Sequence, residues 1–219
     1  MSFYTIDSIS FSYNKTETLF KDVSFNIEKN QNIGLIGPNG CGKTTLANIM
    51  MGILKVQSGE VYLQGKNIKQ LSLSDIGKRV GYVFQNPEVQ LFCPTVKDQM
   101  YFSIRYNKDI EEDQIDEKIK HLLYIFELDK HKDHSPLNLS IGEKQRLALA
   151  SVLSREVEFL ILDEPTTSLD ILRINQLEKY LSIIQQKGIG YLIISHDRGF
   201  LNKHVDKLLI LKSEGVELI

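Results

Sequence analysis

The residues Gly37-Pro38-Asn39-Gly40-Cys41-Gly42-Lys43-Thr44 constrain this chain more than any other segment. They match G-x-x-x-x-G-K-[ST] in full, between an apolar run, Ile33-Gly34-Leu35-Ile36, and a helical pattern. Glycines in such a loop let successive backbone N–H groups turn inward around an anion. The N-terminus of the following helix adds positive potential. Lys43 reaches the β/γ-phosphates of a nucleotide, and Thr44 offers a hydroxyl to Mg²⁺. Asn39, Gly40, Cys41, Gly42, Lys43 and Thr44, with Thr45 beside them, are the nucleotide-binding candidates. A strand feeding such a loop and a helix leaving it predict an α/β fold.

The rest of the chain carries the same alternation. Val23, Phe25 and Ile27 alternate with Ser24, Asn26 and Glu28, the period of a half-buried strand. Lys43 to Leu54 reads as a helix with Leu46, Ile49, Met50 and Ile53 on one face. Short strands are predicted near Val61 to Leu63 and Val80 to Phe84. Phe159-Leu160-Ile161-Leu162 and Tyr191-Leu192-Ile193-Ile194 are apolar without alternation, as in a parallel sheet covered on both faces. A helix from about Ile171 to Lys187 joins them, and another begins near Gly142. From Thr95 to Leu128 the pattern is helical and charge-rich. Within it, Ile110 to Leu128 places Ile115, Ile119, Leu122, Leu123 and Phe126 at 3- and 4-residue spacings. The segment 87–139 therefore reads as a helical subdomain inserted between core segments 1–86 and 140–219.

Composition narrows the function classes. The chain has 219 residues with 26 Lys+Arg against 28 Asp+Glu, so no basic excess marks it for nucleic acid. The longest charge-free runs, Asn30 to Gly42 and Thr44 to Leu54, have 13 and 11 residues. Both fall well short of the roughly 20 apolar residues of a spanning helix. No secretory signal is visible at the N-terminus. Two cysteines, Cys41 and Cys93, do not make a disulfide scaffold, and a reducing cytosol is expected.

A second motif ends the apolar run at Phe159. Asp163-Glu164 delivers two carboxylates to the C-terminal end of a strand, where open α/β sheets keep their ligand crevice. Beside a phosphate loop, Asp163 is expected to hold Mg²⁺ and Glu164 to act as general base on the attacking water. A third motif is Leu139-Ser140-Ile141-Gly142-Glu143-Lys144-Gln145-Arg146. Ser140 and Glu143 form a capping box. A helix N-terminus of this kind also suits a phosphate, so both readings stand.

Taken in order, these motifs resemble the ATP-binding-cassette (ABC) ATPases from about Phe11 to Leu211. Ser140 to Gln145, 23 residues before Asp163, is similar to the signature that usually reads LSGGQ. Ser168-Leu169-Asp170 resembles the D-loop, His196 the switch histidine and Gln85 the Q-loop glutamine. Tyr13, 30 residues before Lys43, stands where the family stacks an aromatic on adenine. The resemblance implies a P-loop NTPase core with a mainly parallel sheet, an N-terminal antiparallel β part and an inserted α-helical subdomain. It implies ATP and Mg²⁺ as cofactors, with Thr44, Gln85 and Asp163 toward the metal. Glu164, His196, Gln85 and Lys43 would serve catalysis. Ser140 and Gly142 would contact the ATP of a second ABC ATPase subunit in a sandwich dimer. Ile141 departs from the usual Gly of the signature, and a β-branched residue there requires ordinary dihedrals.

The segment Gln85-Asn86-Pro87-Glu88-Val89-Gln90-Leu91-Phe92 resembles the Q-loop of energy-coupling factor and cobalt/nickel-type importers, usually FQNPxxQLF. It implies docking of integral membrane subunits there, and a place on the cytoplasmic face of the cell membrane. Gln99 departs from an acid often found at its position, and the chain ends at Ile219 without a C-terminal extension. The other readings are the motor of an exporter, and a non-transport relative acting on DNA or ribosomes. One cassette without sustained heptads favours transport.

Overall fold

The computed structural model describes residues 2–14, 17–105, 111–167, 169–212 and 215–218. Along the first half run β1 (Ser2–Asn14), β2 (Glu17–Glu28), β3 (Asn32–Ile36), α1 (Lys43–Met50), β4 (Ser58–Leu63) and β5 (Lys66–Asn67). Then come α2 (Leu73–Gly77), β6 (Val80–Val83), α3 (Val96–Ile104), α4 (Glu112–Ile125) and α5 (Ile141–Leu153). The last part holds β7 (Phe159–Asp163), α6 (Ile171–Gln186), β8 (Gly190–Ile194), α7 (Arg198–His204), β9 (Lys207–Lys212) and β10 (Gly215–Leu218).

Two sheets result. The N-terminal one is antiparallel, in the order β2-β1-β4-β5. The other runs β10-β9-β3-β8-β7-β6 and is parallel except for β10. The expected mixed α/β architecture is the observed one.

The missing alternation in β7 and β8 has a direct cause. Phe159 and Ile161 of β7, with Leu192 and Ile194 of β8, face a core made with α1 and the antiparallel sheet. Leu160, Leu162, Tyr191 and Ile193 face the opposite core, shared with α3, α4, α5 and α6. Each strand alternates between two dry faces, so residues 159–162 and 191–194 are apolar throughout. Ile115, Ile119, Leu122, Leu123 and Phe126 of the α4 region all enter the second core.

Some expectations change. The helix after the phosphate loop stops at Met50, not Leu54, and Ile53 is exposed rather than on the buried face. Gly52 takes φ +70°, and the N–H groups of Ile53 and Leu54 both turn back to the Asn48 carbonyl. The helical run 95–128 is two helices, α3 and α4; Ile110 lies outside the described residues. Phe84 falls just past the end of β6.

The pairing brings three strand ends level. Leu35 of β3 sits beside Ile194 of β8, and Ile194 beside Asp163 of β7. The loops after β3, β7 and β8 therefore open on one edge of the sheet. They carry the phosphate loop, Glu164 and His196.

Candidate active site

At that edge lies a cleft of about 620 Å³. Tyr13, Asn39, Gly40, Gly42, Lys43, Thr44, Thr45, Gln85, Asp163, Glu164 and His196 line it together. Its volume is within the ordinary range of small-molecule sites.

The phosphate loop closes onto itself. Gly42, which starts α1, has φ +99°. A Cβ there would lie 2.7 Å from Leu19 Cδ2 and 3.1 Å from Phe20 Cδ1. The left-handed φ is what calls for glycine, and a methyl group would in addition have to push the Leu19 side chain aside. Lys43 is buried, and its ammonium donates to the carbonyls of Gly37 at 3.0 Å and Pro38 at 3.1 Å. That leaves one of its three donors for a ligand. The first turn of α1 has no acidic residue to oppose an anion. Cys41 is set apart. Its side chain packs against the core near Gly37, and its N–H donates to the Pro38 carbonyl.

Asp163 and Glu164 occupy different surroundings. Thr44 Oγ1 donates to Asp163 Oδ2 at 2.8 Å, and Tyr82 OH donates to the same oxygen at 3.0 Å. Asp163 Oδ1 is buried and has no hydrogen-bond partner among the described residues. Burial, and then the Asp163 carboxylate, push the Tyr82 phenol far above its usual value, so it remains a donor. Glu164 sits just past β7 at φ +48°, a costly conformation for a residue with a side chain. Its N–H donates to the Ile194 carbonyl at 2.8 Å, which anchors it to β8. Glu164 Oε1 lies 3.2 Å from His196 Nε2, an ion-pair distance without hydrogen-bond alignment. Thr167 Oγ1 reaches Glu164 Oε2 at 3.4 Å.

Tyr13 stands at the mouth of the cleft with its ring largely exposed. Its hydroxyl is 2.9 Å from Thr45 Oγ1, and its ring meets Phe11 edge-on. Gln85 is exposed to the same cleft.

Ser140 and Gly142 do not line this cleft. Ser140 caps α5, accepting from the Glu143 N–H while the Glu143 carboxylate accepts from the Ser140 N–H at 2.8 Å. Ile141 is the first helical residue and takes no positive φ, so its β-branch meets ordinary dihedrals. Gly142 lies under Arg173; a Cβ would come 2.9 Å from Arg173 Cδ. Of the D-loop segment, Ser168 lies outside the described residues, while Asp170 caps α6.

Sequence reasoning missed Tyr82 and Thr167. Tyr82 reads as one more apolar strand residue in Val80-Gly81-Tyr82-Val83. A hydroxyl in an otherwise apolar strand was the available signal, because a buried Tyr OH finds a partner.

The chain matches the family model described as ABC transporter over residues 20–167. The chain belongs to that family. It is an ABC ATPase, the ATP-binding subunit of a transporter. Among its ABC relatives, it is 34% identical to a putative ABC transporter ATP-binding protein of Pyrococcus furiosus, over 97% of this chain and 81% of that one. It is also 34% identical to the energy-coupling factor transporter ATP-binding protein EcfA of Methanocaldococcus jannaschii, over 92% of this chain and 72% of the relative. A solved ABC structure, cbiO1 from Clostridium perfringens, superposes with a TM-score of 0.87 at 30% identity. That match covers 99% of this chain and 87% of cbiO1, which is described as part of the ABC transporter complex cbiONQ.

Proposed function

We propose that this chain is the ATP-hydrolysing motor of an energy-coupling factor type importer of a vitamin or metal ion. It works as an ATP-sandwich dimer docked to integral membrane subunits at the cytoplasmic face of the membrane. One observation carries the reading. The phosphate loop, both carboxylates and His196 share one cleft, while Ser140 and Gly142 stand outside it. A second ABC ATPase subunit, identical or related, would bring its own Ser140-type signature to that cleft. Likeness to EcfA and cbiO1 supports the importer class.

The backbone of Asn39 to Gly42 would cradle the phosphates, with Thr45 at the α1 end and the Tyr13 ring against adenine. Lys43 would exchange its loop carbonyls for the β/γ-phosphates. Asp163 Oδ1, buried and without a partner among the described residues, forms with the Thr44 hydroxyl and Gln85 an oxygen donor set that fits Mg²⁺. When bound, Mg²⁺ neutralises charge on the phosphates. Glu164 accepts a proton as water attacks the γ-phosphorus and the bond to the β,γ-bridging oxygen breaks, giving ADP and phosphate. His196, opposite Glu164, meets the γ-phosphate side.

Docking would use the segment from Gln85 to Phe92. Val89 and Phe92 expose about two thirds of their surface there, 66% and 65%. No helix among the described residues is long and apolar enough to cross a membrane. We read 87–139 as the helical subdomain that presents this face, and 1–86 with 140–219 as the nucleotide-binding core.

The test is Glu164→Gln. Turnover should fall to background while ATP-dependent dimers accumulate in size-exclusion chromatography. Undiminished turnover would remove Glu164 from its role. Pull-down from detergent-solubilised membranes should recover an integral membrane subunit; recovery of ribosomes or DNA would overturn the transport reading.

A further inference from the structure

Asp163 is gripped from two sides. Thr44 Oγ1, on α1, and Tyr82 OH, on β6, both donate to Oδ2, at 2.8 and 3.0 Å. Neither touches Oδ1, which is buried and has no hydrogen-bond partner among the described residues. We propose that Tyr82 is a positioning residue for the nucleotide's divalent cation, locking the Asp163 carboxylate so that Oδ1 is the oxygen presented to the metal. This rests on the reading of Asp163 as the metal-facing residue.

The two donors are not equivalent. Thr44 is exposed in the cleft, and its own hydroxyl is one of the oxygens read above as serving the same cation. It is a poor fixed point, because its oxygen is needed elsewhere when the site fills. Tyr82 is 5% exposed, sits in a strand paired directly to β7, and packs edge-on against Phe84 at 4.5 Å. It has little freedom to move. The terminal torsion of an Asp side chain is broad and roughly two-fold, so a carboxylate with one mobile donor samples several orientations. A donor on a buried strand removes that freedom before any ligand arrives. It also occupies Oδ2, the oxygen that would otherwise compete for the cation. The phenol carries no charge, so it orients the carboxylate without neutralising it. Partners of this kind, one shell behind the ligands, commonly set metal affinity.

The experiment is ADP binding by calorimetry on the whole chain, with Mg²⁺ titrated in, for the natural protein and for Tyr82→Phe. Phe keeps the ring against Phe84 and removes only the hydroxyl. The Mg²⁺ concentration giving half of the metal-dependent gain should rise about tenfold. ADP affinity in EDTA should stay unchanged. Tyr82→Leu, an apolar filler without a hydroxyl, carries the same expectation. A hydroxyl that only stabilises the fold would lower the melting temperature and leave the Mg²⁺ dependence where it was. That result would overturn the proposal alone. If ADP binding by the natural protein ignores Mg²⁺, the reading of Asp163 fails, and the proposal with it.

Discussion

Lys144 Nζ lies 2.5 Å from Glu88 Oε1, which ties the first turn of α5 to the segment after β6. The partners differ in setting: the Lys144 side chain is 9% exposed and that of Glu88 54%. Removing Glu88 strands a buried ammonium, whereas removing Lys144 leaves a carboxylate that water already reaches. Glu88→Ala should therefore cost about 1–3 kcal/mol. Lys144→Met should cost less than about 1 kcal/mol. Urea unfolding of the two variants checks the asymmetry, and equal losses would contradict it.

Gly42→Ala tests the phosphate loop through its backbone. The φ of +99° and the 2.7 Å approach to Leu19 both oppose a methyl group. ATP affinity should fall by about tenfold or more, equivalent to at least about 1.4 kcal/mol. Far-UV circular dichroism should remain that of the natural chain. Fluorescent-nucleotide titration gives the reading.

Gln99 is a staple, not a surface residue. It is 2% exposed; its Oε1 accepts from the N–H groups of Phe92 and Cys93, and its Nε2 donates to the Gln90 carbonyl. Gln99→Leu should cost about 2–4 kcal/mol, because several buried groups lose their partners together. Amide exchange at Phe92 and Cys93 should accelerate, while exchange in β7 and β8 should not. Protection that persists at Phe92 would show that another contact holds the loop.

Acid should weaken the start of α5. Partial burial pushes the Glu143 carboxyl up, but the Ser140 hydroxyl and amide, His131 and Arg146 outweigh it and hold it below its ordinary 4.5. A group depressed in the folded state adds stability above its unfolded value. That stability is lost as pH falls through the depressed value. Stability measured from about pH 6 to about pH 3 should lose part of its acid slope in Glu143→Gln. At neutral pH that variant should be less stable by about 0.5–1 kcal/mol, the worth of a helix cap. An unchanged slope would place the acid sensitivity elsewhere.

Much of the fold was legible because the signals are local. The phosphate loop, the Ser140 capping box and the apolar runs of β7 and β8 are each written in consecutive residues. The end of α1 was misjudged for a similar reason. Ile53 continues the helical spacing, and only the left-handed turn at Gly52 shows that the helix has stopped. β9 and β10 were not singled out; β9 owes its place to β3, far earlier in the chain, and β10 is an edge strand paired to β9.

The sequence by itself determined the chemistry: a nucleotide loop, an acidic strand end and a second capped helix, all set by short-range backbone and side-chain preferences. The tertiary structure alone decided who touches whom. Thr44 meets Asp163 across 119 residues, Tyr82 meets it across 81, and Lys144 meets Glu88 across 56. The first two contacts follow from the strand order β3-β8-β7-β6, and the third from α5 lying beside the segment after β6. Periodicity tells a strand which faces to bury, but not which strand lies beside it, and at the cleft the neighbouring strand supplies the second donor to Asp163.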